Sequence, residues 1–340
     1  MTGKQKRVAV LGGNGFVGRR VTDVLLQRGH EVHIYSRHAM DVNRDHPNLC
    51  RFNLDIRLAR QLPGADEYDA VVNATGRVAG VGYNSTHQSE MLVENFELMR
   101  HAADLAAAQA RYFVQLSSAC VYANEVSAGA REEQGMVGDP DAANYGYGWG
   151  KRMGEIYTQT RFDEIQKPVV ILRPYNLYGP GDDFSEHAHV IPSLIRKFIF
   201  EPEVRVWGDG SQIREFVFVD DLAKSIVEAI ERRLTGVFNV CGGRKFAVTI
   251  ADLVEAIEAI LQTGKPVVYQ KSGPSGQPVR FGNPEKAQSV QIQSVTPLTQ
   301  GLRRTIGWYL SQIQRDETLP ETLNVKWREF SHALDPIGRW

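Results

Sequence analysis

A phenol and an ammonium group in the middle of the sequence have the spacing of an acid/base pair. Tyr147 and Lys151 are four residues apart, so on a helix they share one face, one turn apart. The cation favours the phenolate and is expected to lower the tyrosine pKa from its reference value of about 10. Gly148 and Gly150 lie between them at a cost of about 1 kcal/mol each in a helix, which indicates that something approaches this helix closely.

A hydroxyl and a thiol lie just upstream, at the end of a predicted strand. Ser118 and Cys120 follow the apolar run YFVQL, and the carboxyl ends of parallel strands are where α/β folds bind ligands. A thiol of reference pKa about 8.5 beside a cation or hydrogen-bond donors can serve as a base. The alternative is that Cys120 is a small residue buried at a strand end, as most free cysteines are.

A glycine-rich turn follows the first predicted strand directly. Gly12, Gly15 and Gly18 give the spacing GxxGxxG between the strand RVAVL and the start of a helix. Glycine is needed where the strand turns sharply, where backbone approaches a pyrophosphate and where the helix packs on the sheet, while the helix N-terminus favours the anion. A turn without a ligand is the alternative, but strand, turn and helix together favour a dinucleotide site.

The end of the second predicted strand indicates which dinucleotide binds. Enzymes that prefer NAD place an acidic residue there for the ribose 2′-hydroxyl, whereas this strand is followed by Arg37 and His38. A guanidinium suits a 2′-phosphate, so NADP(H) is expected to be preferred, with NAD(H) possible. A solvated loop arginine is the structural alternative. Asp55, after the next short strand, is expected to accept from the adenine amino group, or else to cap a helix.

The elements that must position these residues alternate along the first half of the chain. Short β-branched runs alternate with helical patterns, which is typical of parallel βαβ units. The strand-like runs cover residues 7–12, 31–37, 69–75, 112–118 and 168–174, and the helical ones cover 16–28, 86–110 and 151–161. The sequence therefore predicts an α/β Rossmann-type doubly wound parallel sheet of at least six strands.

The pattern changes from about residue 175, where glycine- and proline-rich loops, isolated strands and further helical stretches replace the regular alternation. This half is expected to form a smaller C-terminal α/β substrate-binding domain. The predicted division assigns 1–174, with return segments near 214–245, to the NADP(H)-binding domain. It assigns 175–213 and 246–315 to the substrate-binding domain and 316–340 to a C-terminal tail.

Composition excludes several classes of partner. The 340 residues carry 39 Lys and Arg against 40 Asp and Glu, so a broadly basic surface for nucleic acid is not expected. No apolar run approaches the roughly 20 residues that cross a bilayer. The three widely spaced cysteines fit neither a disulfide framework nor a zinc site, and the chain starts without a secretory signal pattern. We expect a cytoplasmic enzyme without a metal.

Taken in order, the motifs resemble those of a known family. GxxGxxG, SSxxVY, YxxxK and RPYNLYGPGDDF are similar to the extended short-chain dehydrogenase/reductases, most of which rework nucleotide sugars. The segments HAHVIPSLIRKF, VWGDGSQIREFVFVDDLA and GPSGQPVRFGN resemble, more narrowly, GDP-fucose synthases and GDP-mannose 3,5-epimerases. The resemblance covers about residues 6–315 and implies the Rossmann-type fold and homodimers formed through the helix that carries Tyr147.

The resemblance also implies catalytic roles. Ser118 matches the residue that hydrogen-bonds the sugar oxygen, Tyr147 the residue that exchanges a proton with it, and Lys151 the residue that holds the nicotinamide ribose. Cys120 and His189 match the acid/base groups that move protons on carbon in epimerising members. By its own spacing His189 could be a loop or interface histidine, and His187 adds no metal site because a third ligand is missing.

Further contacts are implied by position. Phe16, Val17 and Ala74 are expected to contact the cofactor. The expected contacts to a nucleoside-diphosphate sugar are an amide near the sugar, an aromatic ring beside the nucleotide and two guanidiniums for the diphosphate. These are Asn176, Trp207, Arg214 and Arg280. A buried structural residue or a surface charge is the alternative for each.

Three functions are weighed. The leading hypothesis is an epimerase/reductase acting on a 4-keto sugar, with proton transfer at C3 or C5 and hydride transfer at C4 from NADPH. The second is a redox-neutral epimerase that keeps its cofactor, and the third is a catalytically silent cofactor-binding regulator. Dehydration is disfavoured because Ala119 and Cys120 stand where dehydratases of this family carry an Asp-Glu pair.

Overall fold

Parallel strands joined by helices form the centre of the computed structural model, which describes residues 4–41, 45–270 and 276–315. The predicted tail, 316–340, lies outside the described residues. The strands are β1 Arg7–Leu11, β2 Glu31–Ser36, β3 Leu49–Asn53, β4 Ala70–Asn73, β5 Phe113–Leu116, β6 Ala128–Ala130, β7 Val169–Pro174, β8 Leu177–Tyr178, β9 Val204–Trp207, β10 Ile213–Glu215, β11 Val217–Phe218, β12 Gly236–Val240, β13 Ala247–Thr249, β14 Val267–Gln270 and β15 Val279–Gly282. The helices are α1 Phe16–Gln27, α2 Val81–Thr86, α3 Gln88–Gln109, α4 Tyr145–Glu164, α5 Val190–Phe200, α6 Val219–Arg232, α7 Ile250–Leu261, α8 Glu285–Gln288 and α9 Leu298–Arg315.

Seven of these strands form one parallel sheet in the order β12-β7-β5-β4-β1-β2-β3. Alternate residues of β1 point to opposite faces. Val8 and Val10 pack in a core with side chains of α1 and α6, whereas Ala9 and Leu11 pack in a second core with side chains of α3 and α4. Helices therefore cover both faces of the sheet, and the predicted Rossmann-type α/β fold is confirmed.

A third core lies among elements of the second half. Apolar residues of α5, α7 and α9 pack together with those of β9, as the 3.6-residue spacing of these helices predicts. A sheet of order β13-β10-β15-β6 lies among these elements and joins strands that are far apart in sequence. The division into domains stays a prediction, although β12 returns to the large sheet within the segment expected to do so.

Most predicted elements of the large sheet are present, with shifts at their ends. The helix that carries Tyr147 and Lys151 begins at Tyr145, six residues earlier than the periodic stretch suggests, because its first turns are rich in glycine. Among the described residues, none of the helices is both long and apolar enough to cross a bilayer.

Candidate active site

The predicted cofactor and catalytic residues meet at one edge of the large sheet. The large sheet contains the consecutive parallel strands β5, β4, β1, β2 and β3. Their carboxyl ends therefore lie at the same edge of the sheet. Gly12 follows β1, Arg37 follows β2, Asp55 follows β3 by two residues, Ala74 follows β4, and Ser118 and Cys120 come after β5. The order of the strands thus gathers residues that are more than one hundred positions apart.

The glycine turn fits a dinucleotide cofactor. Gly12 has a φ of +77° and a Cβ atom there would lie 2.9 Å from the oxygen of Ala74, so only glycine suits this position. Gly15 precedes the first residue of α1 in extended conformation, without a side-chain cap. A Cβ atom on Gly18 would clash with the Gly12 backbone. The turn therefore leaves backbone N–H groups at the start of α1 for a pyrophosphate.

Arg37 and Asp55, which follow the neighbouring strands β2 and β3, are close enough for their charges to interact. Arg37 is exposed, and its charge contributes to a lowered pKa at Asp55. The pKa of Asp55 is lowered to about 2, chiefly by the hydrogen bonds from Arg57. The Arg57 Nε and Nη2 donate to the two carboxylate oxygens at 3.0 and 2.7 Å. Asp55 is thus a paired carboxylate rather than a free acceptor, and its adenine contact stays a prediction.

Tyr147 and Lys151 share one face of α4, as the spacing predicts. The Lys151 Nζ lies 5.7 Å from the centroid of the Tyr147 ring, and both residues are buried. The Lys151 Nζ donates to the Leu116 oxygen at 3.5 Å. Burial lowers the pKa of Lys151 to about 8, against opposing charges on Glu155 and Cys120. An ammonium group whose hydrogen bond is this long can donate to further acceptors, which suits the predicted ribose contact.

The expected direction of the tyrosine pKa is wrong for this structure. The pKa of Tyr147 is raised above its ordinary value, chiefly because burial disfavours the phenolate, and the neighbouring Cys120 adds to the increase. Ser118 and Arg280 act in the opposite direction. The Lys151 Nζ lies 5.7 Å from the ring centroid, and its charge is not among the causes of the shift, so it does not offset the effect of burial. Tyr147 is therefore protonated at neutral pH.

The glycines of α4 permit the close approach that the sequence indicates. A Cβ atom on Gly148 would lie 2.5 Å from the carbonyl oxygen of Cys120, and one on Gly150 would lie 2.6 Å from that of Leu92 in α3. The loop after β5 therefore packs directly on the turn of α4 that carries Tyr147. This contact brings the phenol and the thiol into one site.

A single cavity of about 660 Å³ collects the remaining predicted residues. Its wall includes four of the five predicted catalytic residues and all four predicted substrate contacts. These are Ser118, Cys120, Tyr147, His189, Asn176, Trp207, Arg214 and Arg280. The fifth, Lys151, is buried in the same helix as Tyr147. A volume of this size is in the range of small-molecule sites.

Within the cavity, a guanidinium faces the thiol. The Arg280 Nη1 donates to the Cys120 Sγ at 3.3 Å, and the Ser118 Oγ accepts from the Cys120 backbone N–H at 3.1 Å. Cys120 is a free thiol, partly exposed, so it is not the fully buried strand-end residue of the alternative interpretation. A cation beside an accessible sulfur is a setting for thiolate chemistry.

His189 lies across the same cavity, immediately before the first residue of α5. Its pKa is lowered because the ring is largely removed from water, with the backbone of Ala79 and the charge of Asp183 acting in the opposite direction. Its imidazole is therefore neutral at neutral pH and can accept a proton. Among the described residues, no group of three or more His, Cys, Asp or Glu side chains is arranged to hold a metal ion.

The predicted substrate contacts differ in their surroundings. Trp207 is 46% exposed, and Lys197 Nζ lies 6.0 Å from its ring centroid. The Asn176 Nδ2 donates to the backbone carbonyl oxygen of Glu215 at 2.7 Å, so the amide nitrogen of Asn176 is engaged in a structural hydrogen bond. Burial, and then the charge of Arg280, lowers the pKa of Arg214 to about 10.

Several polar residues of the site are not predicted from the sequence. Asn84 and Asn144 also line the cavity, Asp141 lies behind them, and the Gln277 Oε1 accepts from the Arg280 Nε. Gln277 lies within the segment GPSGQPVRFGN but was not singled out there, whereas Asn84, Asn144 and Asp141 belong to none of the motifs quoted above. Only the position of Asp141, six residues before Tyr147, could have drawn attention to it.

The described fold and site define a class of protein. The chain belongs to the NAD dependent epimerase/dehydratase family, whose model matches residues 8–241. It is 29% identical over 319 residues to the probable GDP-L-fucose synthase 1 of Oryza sativa subsp. japonica, covering 91% of this chain and 94% of the relative. It is 29% identical over 318 residues to a dTDP-4-dehydro-6-deoxy-D-allose reductase of a Streptomyces species, covering 89% and 96%.

The same fold is found in solved structures. A UDP-glucose 4-epimerase of Thermotoga maritima, solved with UDP-glucose, matches with a TM-score of 0.77 at 22% identity, covering 90% of this chain and 99% of the other. At this identity the match supports the fold. The resemblance inferred from the motifs is confirmed by the family and by the curated relatives, which are enzymes of nucleotide sugars by name.

Proposed function

We propose that this chain is an NADP(H)-dependent epimerase/reductase that acts on a nucleoside-diphosphate 4-keto-hexose. The observation that carries the proposal is the single cavity that holds Ser118, Cys120, Tyr147 and His189. The thiol of Cys120 and the imidazole of His189 can exchange protons with carbon. The hydroxyls of Ser118 and Tyr147 can donate hydrogen bonds to an oxygen of the substrate. A reductase alone needs only the hydroxyls, and a binding protein needs none of these groups.

Proton transfer at carbon is assigned to Cys120 and His189. A ketone at C4 acidifies the hydrogens at C3 and C5 of the sugar. One of the two groups removes such a proton and a proton is then returned to the opposite face of the ring, which inverts the carbon. The electron pair rests meanwhile on the C4 oxygen, where the hydroxyls of Ser118 and Tyr147 can donate hydrogen bonds.

Proton transfer at oxygen is assigned to Tyr147. A bound nicotinamide dinucleotide supplies the hydride for C4. Because burial raises the pKa of Tyr147, the phenol holds its proton at neutral pH and donates it to the C4 oxygen as the ketone becomes an alcohol. Lys151 holds the ribose and keeps a positive charge behind the ring. The direction of the pKa shift therefore suits reduction better than oxidation.

The nucleotide part of the substrate is assigned to the opposite wall of the cavity. Arg214 and Arg280, which both line the cavity, are assigned to the diphosphate. Trp207 offers an exposed ring face to the nucleoside, and Asn176 lies toward the sugar. We also propose a cytoplasmic location, since Cys50, Cys120 and Cys241 are all unpaired thiols.

The stoichiometry of cofactor tests the proposal. Purified protein is mixed with NADPH and each of a panel of GDP-, dTDP- and UDP-linked 4-keto-6-deoxyhexoses, and nicotinamide absorbance and product are followed together. We expect one NADPH oxidised for each sugar converted. Conversion of a nucleotide sugar without net oxidation would instead establish the redox-neutral epimerase. Absence of turnover across the panel, with cofactor bound, would support a silent regulator.

The exposed guanidinium after β2 gives a prediction about cofactor choice. NADPH is expected to bind at least about tenfold more tightly than NADH, because Arg37 can make charge-assisted hydrogen bonds to the 2′-phosphate. Arg37→Ala should remove most of this ratio, whereas Arg303→Ala, an exposed arginine on α9, should keep it. Titration calorimetry at one ionic strength measures the affinities of all three proteins for NADPH and for NADH. Equal affinities of the unaltered protein for both cofactors would contradict the assignment.

We also propose a homodimer that forms through α3 and α4. These helices pack side by side, and their exposed apolar residues include Val93 at 48%, Met153 at 37% and Ile156 at 50%. Met153 and Ile156 are three residues apart and so share one face of α4. Apolar residues grouped on one face are typical of a contact surface.

A charge on that face is expected to separate the subunits. Ile156→Asp should convert a dimer into a monomer in sedimentation experiments, because an aspartate buried at the contact has no partner. Leu58→Asp, at an apolar residue that is 84% exposed elsewhere, should leave the dimer intact. An Ile156→Asp protein that still sediments as a dimer would rule out this surface.

A further inference from the structure

A chain of buried polar side chains runs from the wall of the cavity to the thiol. The Asn84 Nδ2 donates to the Asn144 Oδ1 at 2.9 Å, and the Asn144 Nδ2 donates to the Asp141 Oδ2 at 2.8 Å. The same Oδ2 lies 4.0 Å from the Arg280 Nη2, and the Arg280 Nη1 donates to the Cys120 Sγ at 3.3 Å. Asp141 is thus the acidic member of a connected set that ends at the sulfur.

The charges explain why an acid is needed there. Arg214 and Arg280 are paired residues on the adjacent parallel strands β10 and β15, so their guanidiniums repel each other. The charge of Arg280 lowers the pKa of Arg214, and the charge of Asp141 acts in the opposite direction. Arg280 and Asp141 are only 6% exposed, and charges shielded from water interact strongly. Asp141 therefore offsets part of the repulsion between the guanidiniums of Arg214 and Arg280.

The position of Asp141 also connects the thiol to the tyrosine helix. Asn144, which donates to the carboxylate, is the residue that immediately precedes α4. Tyr147 follows in the first turn of that helix. One carboxylate therefore accepts a hydrogen bond from the residue that precedes the Tyr147 helix and lies 4.0 Å from the guanidinium that faces Cys120.

We propose that Asp141 is a positioning residue, which holds Arg280 against the Cys120 sulfur and so supports proton transfer at carbon. The effect of Asp141 on proton transfer rests on the proposed function. Its effect on the position of Arg280 beside the Cys120 thiol does not. Without the negative charge 4.0 Å from its Nη2, the Arg280 guanidinium is expected to turn about its remaining bond to Gln277, away from Arg214 and from the sulfur. The Cys120 sulfur then loses the guanidinium that donates to it, while the Tyr147 hydroxyl keeps its place.

The test compares Asp141→Asn with two other variants. Asparagine keeps an oxygen that can accept from Asn144, so α4 should stay in place while the charge is lost. Asp141→Glu restores the charge, and Asp139→Asn removes an exposed acid two residues away. Iodoacetamide labels each protein without substrate, and peptide mass spectrometry reads Cys120, with the exposed Cys50 as an internal reference for a folded protein.

The charged and titratable groups that face the sulfur are Arg280, Arg214, Tyr147 and Lys151. Of these, the Asp141→Asn variant is designed to move only Arg280. Labelling of Cys120 should fall about tenfold in Asp141→Asn, recover at least in part in Asp141→Glu and stay unchanged in Asp139→Asn. Cys50 should react equally in all of them.

The second measurement uses a 4-keto sugar nucleotide that the enzyme converts. The rate of solvent deuterium exchange at carbon should fall about tenfold in Asp141→Asn, while the rate of hydride transfer should change less than about threefold. Unchanged labelling of Cys120 in Asp141→Asn would overturn the inference. An equal loss of exchange and hydride transfer would also overturn it, because that result indicates a general disturbance of the site. Failure of the proposed function alone would leave the labelling result intact, so the two failures are distinguishable.

Discussion

Cys120→Ser is expected to reduce solvent deuterium incorporation at C3 and C5 of the sugar by about a thousandfold, while the cofactor still binds. A serine hydroxyl fills nearly the same space as the thiol but is a far weaker acid, so it is not ionised near neutral pH. It therefore cannot accept a proton from carbon as a thiolate can. The Arg280 guanidinium, 3.3 Å from the sulfur, would still have a hydrogen-bond acceptor, so the fold should be retained.

Mass spectrometry of the sugar nucleotide after incubation in deuterium oxide measures this exchange. Cys50→Ser is the matched control, because Cys50 is a free thiol in β3 and not part of the cavity. It should exchange at the rate of the unaltered protein. If Cys120→Ser exchanges as fast as the control, the thiol has no part in proton transfer, and another group must act with His189.

Tyr147→Phe is expected to slow hydride transfer to C4 by between about a hundredfold and ten-thousandfold. The phenol is the buried hydroxyl whose raised pKa keeps its proton available for the C4 oxygen. Phenylalanine leaves the ring packed beside Lys151 but removes the donor, so the oxygen would develop negative charge without a proton. Single-turnover loss of nicotinamide absorbance measures the step directly.

Tyr145→Phe is the control for this substitution. Tyr145 lies two residues earlier in the same helix and is 43% exposed, so its hydroxyl should not affect the reaction. Hydride transfer in Tyr147→Phe at the rate of Tyr145→Phe would remove the tyrosine from the mechanism. Water or Ser118 would then have to supply the proton.

The sequence predicts the large sheet and the glycine turn well because both depend on local signals. The strand RVAVL, the three glycines and the helix after them are contiguous, so their patterns suffice to place the glycine turn. The spacing of Tyr147 and Lys151 is equally local. Even the cost of Gly148 in a helix correctly indicated a close approach, which the structure shows to be that of the Cys120 carbonyl.

The environment of the predicted catalytic groups could not be predicted in the same way. The pKa of Tyr147 depends on how much water reaches the hydroxyl, and that burial arises from elements distant in sequence. Arg280 meets Arg214 because β15 pairs with β10, and it meets Cys120 because both elements border one cavity. Asp141 acquires its place only through these contacts. Long-range pairing therefore decides the electrostatics, whereas local pattern decides the fold.

The fate of the ring hydrogens during catalysis tests most directly whether a thiol and an imidazole act on carbon in this site. The unaltered protein is supplied with NADPH and its preferred 4-keto sugar nucleotide in deuterium oxide, and the product is analysed by proton NMR. Solvent deuterium at C3 or C5, with inverted configuration at that carbon and one NADPH oxidised for each product, is the expected result. A reduced product that keeps every original ring hydrogen and the original configuration at C3 and C5 would contradict it and would establish a simple 4-keto reductase.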